Sequence, residues 1–324
     1  MSTTSLITTA IHAWQLPATV RWCFAEEGRD GTLRLEVPAG DVFYLKRHPR
    51  QHAVVREHAL LCWLRERRLP TAPPVPATDG ALAVPVGDEV LILYTALPGD
   101  VTHCTELVGF DDQAFGYGAG CARLQQALAQ YPYAGEFRQA DLAAEITGWV
   151  AELISAHADE LPPTVPAILP VVGDFLHAQR GLLPEQLIHR DFHLSNILMA
   201  QAQVVGYVDF DLACRSLRLF DPCYALTGML IGGFTHEHNR RIWPTLVARL
   251  FAGYFSVQPL LEHERRAVVE TMLAIQLLFV AYGYRMENPA LAQSNVPIIP
   301  WLCEHRQEIE GAVDEAWELQ ALCG

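Results

Sequence analysis

The feature that most constrains this chain is a polar motif set between two apolar segments near its middle. His189, Asp191 and Asn196 lie close together, directly after an apolar stretch. Asp209 and Asp211 follow a second apolar stretch, on either side of a phenylalanine. An aspartate and an asparagine with four residues between them, and a further aspartate downstream, form the arrangement that phosphoryl transfer uses. The motif therefore predicts the active site of a kinase.

Each polar residue of this motif has a predicted role. Asp191 can accept a hydrogen bond from a substrate hydroxyl and then its proton, with a turn-capping aspartate as the alternative. The amide oxygen of Asn196 and the carboxylate of Asp209 suit Mg²⁺, a hard cation that binds oxygen ligands. We expect Asp211 to be an outer or second-metal group. We expect His189 to pack beneath the loop and bond its backbone.

Two further residues, Asp221 and His193, lie near or within the loop of this motif. Asp221 precedes Pro222 and a helical pattern, so it is predicted to cap the N-terminus of that helix and to brace the catalytic loop. His193 lies inside the loop itself. Solvent exposure and a substrate contact are both open for its side chain.

Lys46 is the only lysine in the chain and ends the strand-like segment Val42–Lys46. Glu57 lies on the helical pattern that follows. A lysine and a glutamate so placed predict the pair that grips the α- and β-phosphates of a nucleotide. Glu66 is a weaker alternative partner, and an ordinary surface lysine is the competing interpretation.

The phosphate-covering loop and the adenine contact are less distinct in the sequence. Gly28–Gly31 lies between two strand patterns, but neither G-x-G-x-x-G nor G-x-x-x-x-G-K-[ST] occurs. A plain hairpin and a nucleotide flap therefore both remain open. Backbone groups of Tyr94, Thr95 and Ala96 are predicted to meet the edge of the adenine, and a bare linker is the alternative.

The elements predicted along the chain change in character near residue 97. Strand patterns and a single helix, at 54–64, dominate the first part. The second part is mainly helical, at about 112–131, 139–159, 166–180, 220–231, 238–256, 261–285 and 300–320, with one short strand pair at 197–199 and 204–208. This order predicts an α+β chain with a small β-rich lobe at 1–96 and a larger helical lobe at 97–324.

Composition narrows the partners of the chain. A net charge of −14 argues against nucleic acid, because phosphate backbones are bound by concentrated lysine and arginine. We expect no membrane partner and a cytoplasmic location, since no apolar run reaches about 18 residues and the start lacks the pattern of a secretory signal. The eight cysteines are scattered, which favours reduced thiols. The oligomeric state is not predicted.

With these residues in view, the chain resembles the aminoglycoside phosphotransferase and choline kinase-like family. The matching segments are Phe43–Lys46, Glu57 with Leu61–Leu64, Leu69–Pro70, Pro73–Pro76, Asp79–Gly80, Leu97–Gly99, His189–Asn196, Val208–Asp211 and Arg218–Asp221. Among its branches, the chain looks most like the homoserine kinase type II and spore-coat-kinase-like groups.

The resemblance implies a two-lobed protein-kinase-like fold. It also implies the use of ATP, less often GTP, with Mg²⁺, and a small-molecule hydroxyl acceptor. Carried over by position, Asp191 is the base, Asn196 and Asp209 are magnesium ligands, and Lys46 and Glu57 are the phosphate-gripping pair. The departures are the absent glycine-rich loop and Asp211, where protein kinases have glycine.

Three other functions compete with a small-molecule kinase. A protein Ser/Thr kinase would share the motif, but only nine residues separate Asp211 from Asp221 and no A-P-E follows, so an activation loop has no room. A catalytically inactive nucleotide-binding regulator is opposed by the intact set of motif residues. A metal-dependent hydrolase built on His189, Asp191 and Asp209 leaves Lys46 unexplained.

Overall fold

The computed structural model describes residues 2–25, 31–49, 53–102 and 107–323. The chain forms two compact units. The first runs to Pro98 and includes the short later segment Gly206–Val208, and the second comprises Gly99–Val205 and the residues from Asp209 onward. The assignment of 1–96 and 97–324 as functional lobes stays a prediction.

The first unit is built on a five-stranded antiparallel sheet with strand order 1-2-3-5-4. Its strands are β1 (Arg21–Phe24), β2 (Thr32–Glu36), β3 (Val42–Pro49), β4 (Val84–Val86) and β5 (Glu89–Thr95). Helix α1 (Thr3–Trp14) precedes the sheet and α2 (Val54–Glu66) follows β3. The prediction of one helix in this part is therefore wrong, because α1 was not anticipated.

The register of the sheet sorts its side chains into two faces. Leu45 pairs with Leu93, and both lie in the apolar cluster that α1 completes. Lys46 pairs with Ile92, so these two side chains point to the opposite face, because successive residues of a strand alternate. The unique lysine thus lies on the face of the sheet that does not carry the α1 cluster.

The second unit is mainly helical. Its helices are α3 (Asp111–Ala129), α4 (Leu142–Glu145), α5 (Ala151–Ala156), α6 (Thr164–Ala178), α7 (Phe220–Gly233), α8 (Glu237–Phe255), α9 (Glu262–Arg266), α10 (Val268–Arg285), α11 (Pro289–Asn295), α12 (Ile298–Glu304) and α13 (Arg306–Cys323). A π-helical turn, Ile146–Val150, separates α4 from α5, and short 3₁₀ turns lie at Ala134–Glu136, Ala158–Glu160 and Leu194–Asn196.

Short strands frame the polar motif. Strand β6 (Glu185–Ile188) pairs antiparallel with β9 (Cys214–Leu217), and β7 (Ile197–Ala200) pairs with β8 (Gln203–Tyr207). The second pair was predicted, and the first was not. The helix predicted at 300–320 is interrupted at His305, where α12 ends and α13 begins, and the helix predicted at 261–285 is interrupted at Ala267.

Helices α3 and α8 approach each other closely because both carry glycine at the contact. A Cβ atom on Gly118 would lie 1.8 Å from the carbonyl oxygen of Leu250. A Cβ atom on Gly253 would lie 2.0 Å from the carbonyl oxygen of Phe115. Since neither position can hold a larger residue without moving the backbone, these glycines set the distance between the two helices.

Helix α10 is long and apolar enough to cross a membrane by length and composition alone. However, 72% of its 18-residue window is buried inside the protein. It packs against α7, α6 and α12, which is the behaviour of a core helix in a globular protein.

The cysteines whose side chains are described are all free thiols. Cys121, Cys214 and Cys223 are buried, while Cys23 is exposed. Burial raises the pKa of the Cys214 thiol to about 11, so this side chain is protonated at neutral pH.

Candidate active site

The loop that carries the predicted base leaves β6 and returns in β7. The side-chain amide of Asn196 donates to the Asp191 carboxylate at 2.8 Å and to the Asp191 main-chain oxygen at 3.0 Å. The Asn196 N–H donates to the carbonyl of His193 at 2.9 Å, which closes the 3₁₀ turn. The structure therefore brings together the predicted base and one predicted magnesium ligand, and it holds the carboxylate in one orientation.

His189 lies fully buried beneath this loop. Its ring nitrogen Nδ1 accepts the Asp191 N–H at 3.3 Å. The imidazole also contacts the rings of Phe192 and Phe210, with centroid distances of 6.1 and 4.4 Å. Its contacts are those of a packing residue that bonds the loop backbone, and the contact with Phe210 brings the segment of Asp209 and Asp211 against the loop.

Asp221 supports the same loop from a completely buried position. Its two carboxylate oxygens accept the backbone N–H groups of His189 at 3.0 Å and Arg190 at 2.9 Å. The prediction that Asp221 caps a helix is wrong, since α7 already begins at Phe220. Burial raises the pKa of the Asp221 carboxyl above its ordinary value, against the opposing effects of His189 and of the backbone donors.

A buried chain of side-chain hydrogen bonds extends behind Asp221 and was not predicted. The Gln125 amide nitrogen donates to the Arg218 carbonyl at 2.6 Å and lies 3.4 Å from the Asp221 carboxylate. The Tyr254 hydroxyl donates to the Gln125 amide oxygen at 2.6 Å, and Gln258 donates to that hydroxyl at 2.8 Å. The brace beneath the loop is therefore itself fixed from α3 and α8.

Arg190 is a second residue that sequence reasoning missed. It lies between His189 and Asp191, with a positive φ of 67°. Its guanidinium is 2.5 Å from the Glu145 carboxylate and 3.2 Å from the Ser216 hydroxyl, and it lies over the Phe220 ring at 3.9 Å. The sequence signal was an arginine directly before the predicted base, but its partners are distant in sequence.

Asp209 follows β8 and adopts a left-handed backbone with φ 66°. Non-glycine residues rarely adopt this conformation, and such strain concentrates at functional sites. Asp209 is half-buried, Phe210 is buried and Asp211 is exposed. The role of Asp211 as an outer or second-metal group stays a prediction.

The donor chemistry of this loop fits Mg²⁺. The side-chain NH₂ group of Asn196 donates both of its hydrogen bonds to Asp191, and the Asn196 amide oxygen is the atom that can bind a hard cation. The Asp209 carboxylate is a second oxygen donor. Mg²⁺ is usually bound by one or two protein oxygens together with water and substrate phosphates, so two protein ligands suffice.

The predicted nucleotide residues of the first unit are clustered around Tyr94. The Tyr94 hydroxyl donates to Glu57 at 3.1 Å, and the Lys46 ammonium lies 5.9 Å from the centroid of the Tyr94 ring. Glu57 is buried, whereas the alternative partner Glu66 is exposed at the end of α2. Burial of Glu57 and its bond to Tyr94, the ring that Lys46 also approaches, favour Glu57 over Glu66. The side-chain role of Tyr94 was not predicted.

Pairing within the sheet reduces the number of backbone groups that are available for the predicted adenine contact. The Ala96 N–H donates to the Val42 carbonyl at 2.9 Å, so this amide is already used within the first unit. Thr95 is exposed at the end of β5. Of the predicted loop Gly28–Gly31, the residues 28–30 lie outside the described part of the chain, and Gly31 has a φ of 149°.

A half-exposed group of aromatic side chains lies beside the catalytic loop. The His193 ring is 5.8 Å from the Tyr224 ring, and Tyr224 stacks on Phe279 at 5.2 Å. The imidazole approaches α7 at Gly228, where a Cβ atom would lie 3.1 Å from His193 Cδ2. His193, Tyr224 and Phe279, here called the aromatic platform, are each half-buried. Tyr224 and Phe279 lie on helices α7 and α10, whose other residues are mostly buried.

Comparison with known proteins decides the family. Residues 22–267 match the phosphotransferase enzyme family, abbreviated APH. The chain belongs to this family. The resemblance stated from the sequence is thereby confirmed.

Similar sequences include homoserine kinases. That of Phenylobacterium zucineum (strain HLK1) is 27% identical over 216 residues, which cover 64% of this chain and 61% of that protein. That of Gluconacetobacter diazotrophicus (strain ATCC 49037) is 30% identical over 223 residues, covering 64% and 62%. The chain therefore matches about three fifths of the length of these relatives.

Solved structures confirm the fold. The amicoumacin kinase hAmiN, in complex with AMP-PNP, Ca²⁺ and Ami, has a TM-score of 0.71 at 16% identity, covering 96% of this chain and 94% of that one. A microcompartment-associated aminopropanol kinase has a TM-score of 0.69 at 17% identity, covering 95% and 99%. The predicted α+β, two-lobed protein-kinase-like fold is therefore correct.

Proposed function

We propose that the chain transfers the γ-phosphoryl group of ATP to a hydroxyl of a small molecule. The observation that carries the proposal is the Asp191 carboxylate, held by Asn196 at 2.8 Å in a loop braced by Asp221, in a member of the phosphotransferase family. A carboxylate fixed in this way can orient an attacking hydroxyl and accept its proton.

The remaining residues serve the nucleotide. Asn196 and Asp209 would hold Mg²⁺, which supplies charge neutralisation on the phosphates. Lys46, supported by the Glu57 and Tyr94 cluster, binds phosphate oxygens through its ammonium. The segment around Tyr94 and Thr95 binds the adenine of the nucleotide. GTP is the alternative phosphoryl donor in this proposal, and competition between the two nucleotides tests it.

The acceptor in this proposal is a small alcohol that also carries an amino group, with homoserine as the first candidate. Two observations support it: the homoserine kinases among the relatives, and the aromatic platform next to Asp191, since aromatic faces attract ammonium groups. No nucleic acid or membrane partner is part of the proposal, and the cytoplasmic location stays a prediction.

The structure offers little support for a protein acceptor. Between Asp211 and Asp221 the chain forms β9 and then enters α7 directly, and the structure describes all of these residues. The short segment is therefore occupied by regular structure, where a protein kinase has an activation loop.

The test is ATP turnover with homoserine, amino alcohols, aminoglycosides and sugars, for the wild type and for Asp191→Ala. We expect the variant to lose a factor of roughly 10² or more in kcat while it still binds ATP, because a positioned base contributes that much. Asp174→Asn, at an exposed position on α6, is the control and should retain full turnover. Near-normal turnover of Asp191→Ala would contradict the proposal. ATP binding by the wild type without transfer to any acceptor would favour a regulator.

A further inference from the structure

Arg190 occupies the position directly before the proposed base, in a backbone conformation that arginine rarely adopts. A φ of 67° at this residue persists only if the surroundings hold it there. The Asp221 carboxylate holds the backbone through the Arg190 N–H at 2.9 Å. A second set of contacts holds the side chain.

The guanidinium of Arg190 is fixed by three segments that are distant in sequence. Glu145, the last residue of α4, accepts from Nη2 at 2.5 Å, and Ser216 of β9 accepts from Nη1 at 3.2 Å. Phe220, the first residue of α7, lies beneath the guanidinium plane at 3.9 Å. The Arg190 side chain is 6% exposed and that of Glu145 is 20% exposed. The ion pair is thus largely shielded from solvent. A buried charge pair is screened less by salt than an exposed one.

The segment that carries Glu145 is itself secured beside the loop. The Ser216 hydroxyl donates to the Ala140 carbonyl at 2.7 Å, and the Ala140 N–H donates to the Arg215 carbonyl at 2.8 Å. Directly after Glu145 the helix is interrupted by the π-helical turn, in which Gly148 has non-helical angles of φ −99° and ψ −112°. Such turns occur frequently at functional sites.

From these contacts we propose that Glu145 is a positioning residue for the phosphoryl-transfer reaction, acting through Arg190 on the orientation of Asp191. The inference rests on the proposed function. Glu145 touches neither the base nor its asparagine. It fixes the side chain of the neighbouring residue, so that the loop presents the carboxylate in the orientation that Asn196 also holds.

The first test compares Glu145→Gln with Asp141→Asn. Asp141 lies four residues before Glu145 and forms an ion pair with Arg180 at 2.6 Å. Both side chains of this pair are exposed, at 49% for Arg180 and 41% for Asp141. We expect Glu145→Gln to lower kcat by about 10- to 100-fold, because small misplacements of a catalytic group cost that much, with the KM for ATP little changed. The control should keep its kcat. A kcat of Glu145→Gln equal to that of the wild type would overturn the proposal.

A second variant separates positioning from folding. Glu145→Gln leaves a buried guanidinium without its counter-charge, whereas the double variant Glu145→Met with Arg190→Met removes both charges and restores thermal stability. We expect the double variant to recover its Tm but not its kcat, because the side-chain anchor is still missing. Recovery of kcat together with Tm would show that the pair is only structural.

Hydrogen exchange keeps the inference distinct from the proposed function. If the wild type phosphorylates no acceptor, the proposed function fails. The effect of the Glu145–Arg190 ion pair on the loop can still be measured, by amide exchange in the peptide around 187–196. We expect faster exchange there in Glu145→Gln and unchanged exchange in Asp141→Asn. Equal exchange in the wild type and Glu145→Gln would overturn the proposal.

Discussion

Replacement of Asp221 by asparagine tests the support of the catalytic loop most directly. The two carboxylate oxygens each accept one backbone N–H, at 3.0 and 2.9 Å, from a fully buried position. Asparagine has the same shape but only one acceptor oxygen, so its NH₂ group would face one of the two N–H groups. One buried donor is then left without a partner.

The expected loss of stability follows from that single lost bond. A buried donor left unsatisfied costs about 1–3 kcal/mol, and relief of the buried charge offsets part of it. A net loss of about 2 kcal/mol lowers the Tm by roughly 4 °C or more, at the ~2–4 °C per kcal/mol typical of large domains. Because the two N–H groups belong to the two residues directly before Asp191, kcat should fall by about tenfold or more.

The assays are thermal unfolding, hydrogen exchange of the loop peptide and steady-state kinetics. Asp221→Ala removes both acceptors and should lose more stability than Asp221→Asn, while the exposed Asp174→Asn should behave as wild type. An Asp221→Asn protein with wild-type Tm and wild-type amide protection would refute the reasoning, because the bonds to His189 and Arg190 would then carry no free energy.

The pH dependence of the same pair of proteins has a definite sign. Burial raises the pKa of Asp221 in the folded state, so its contribution to stability is full below the ordinary value of about 3.9 and is lost as pH rises through the raised folded value. Asparagine does not titrate. The stability of the wild type relative to Asp221→Asn should therefore increase as pH falls from 7 toward 4, and urea unfolding at several pH values measures it.

Three further predictions concern other parts of the chain. Gly118→Ala should destabilise the protein by more than about 1 kcal/mol, since its Cβ would meet a main-chain carbonyl of α8 at 1.8 Å, while Gly135→Ala, with open space around it, should have a Tm near wild type; equal Tm values would contradict the packing argument. Gln276→Met should raise stability by about 1–3 kcal/mol, because both side-chain polar atoms of this buried glutamine lack partners within the described structure; a lower Tm would count against it. Tyr94→Phe removes the 3.1 Å bond to Glu57 and should raise the KM for ATP a few-fold at an unchanged acceptor KM; an unchanged ATP KM would show that the hydroxyl does not support the lysine.

The parts of the site that could be predicted are those encoded by short spacings. Asp191 and Asn196 are five residues apart, and the short loop between them keeps their side chains close to each other. Lys46 was distinguished by being unique on an apolar strand. These signals are local, so they survive without knowledge of how distant segments pack.

The supports of the site could not be predicted because they connect distant segments. Arg190 meets Glu145 across 45 residues, and Asp221 meets Gln125 across 96. The sequence offers 37 acidic side chains with which Arg190 could have paired, and only the tertiary packing selects Glu145 among them. Helix α1 is a different case, since Leu6, Ile7, Ala10 and Trp14 do recur at helical spacing, and this local signal was overlooked.

The return of Gly206–Val208 to the first compact unit has a practical consequence for dissecting the protein. Within that unit, the Tyr207 N–H donates to the Pro70 carbonyl at 2.9 Å, and Tyr207 forms a parallel bridge with Thr71. A fragment that ends at Pro98 would lack this strand and would leave the Pro70 carbonyl without its donor. Expression of the two units as separate pieces is therefore expected to yield an incomplete first piece, and a circular permutant that keeps every residue is the better way to relocate the termini.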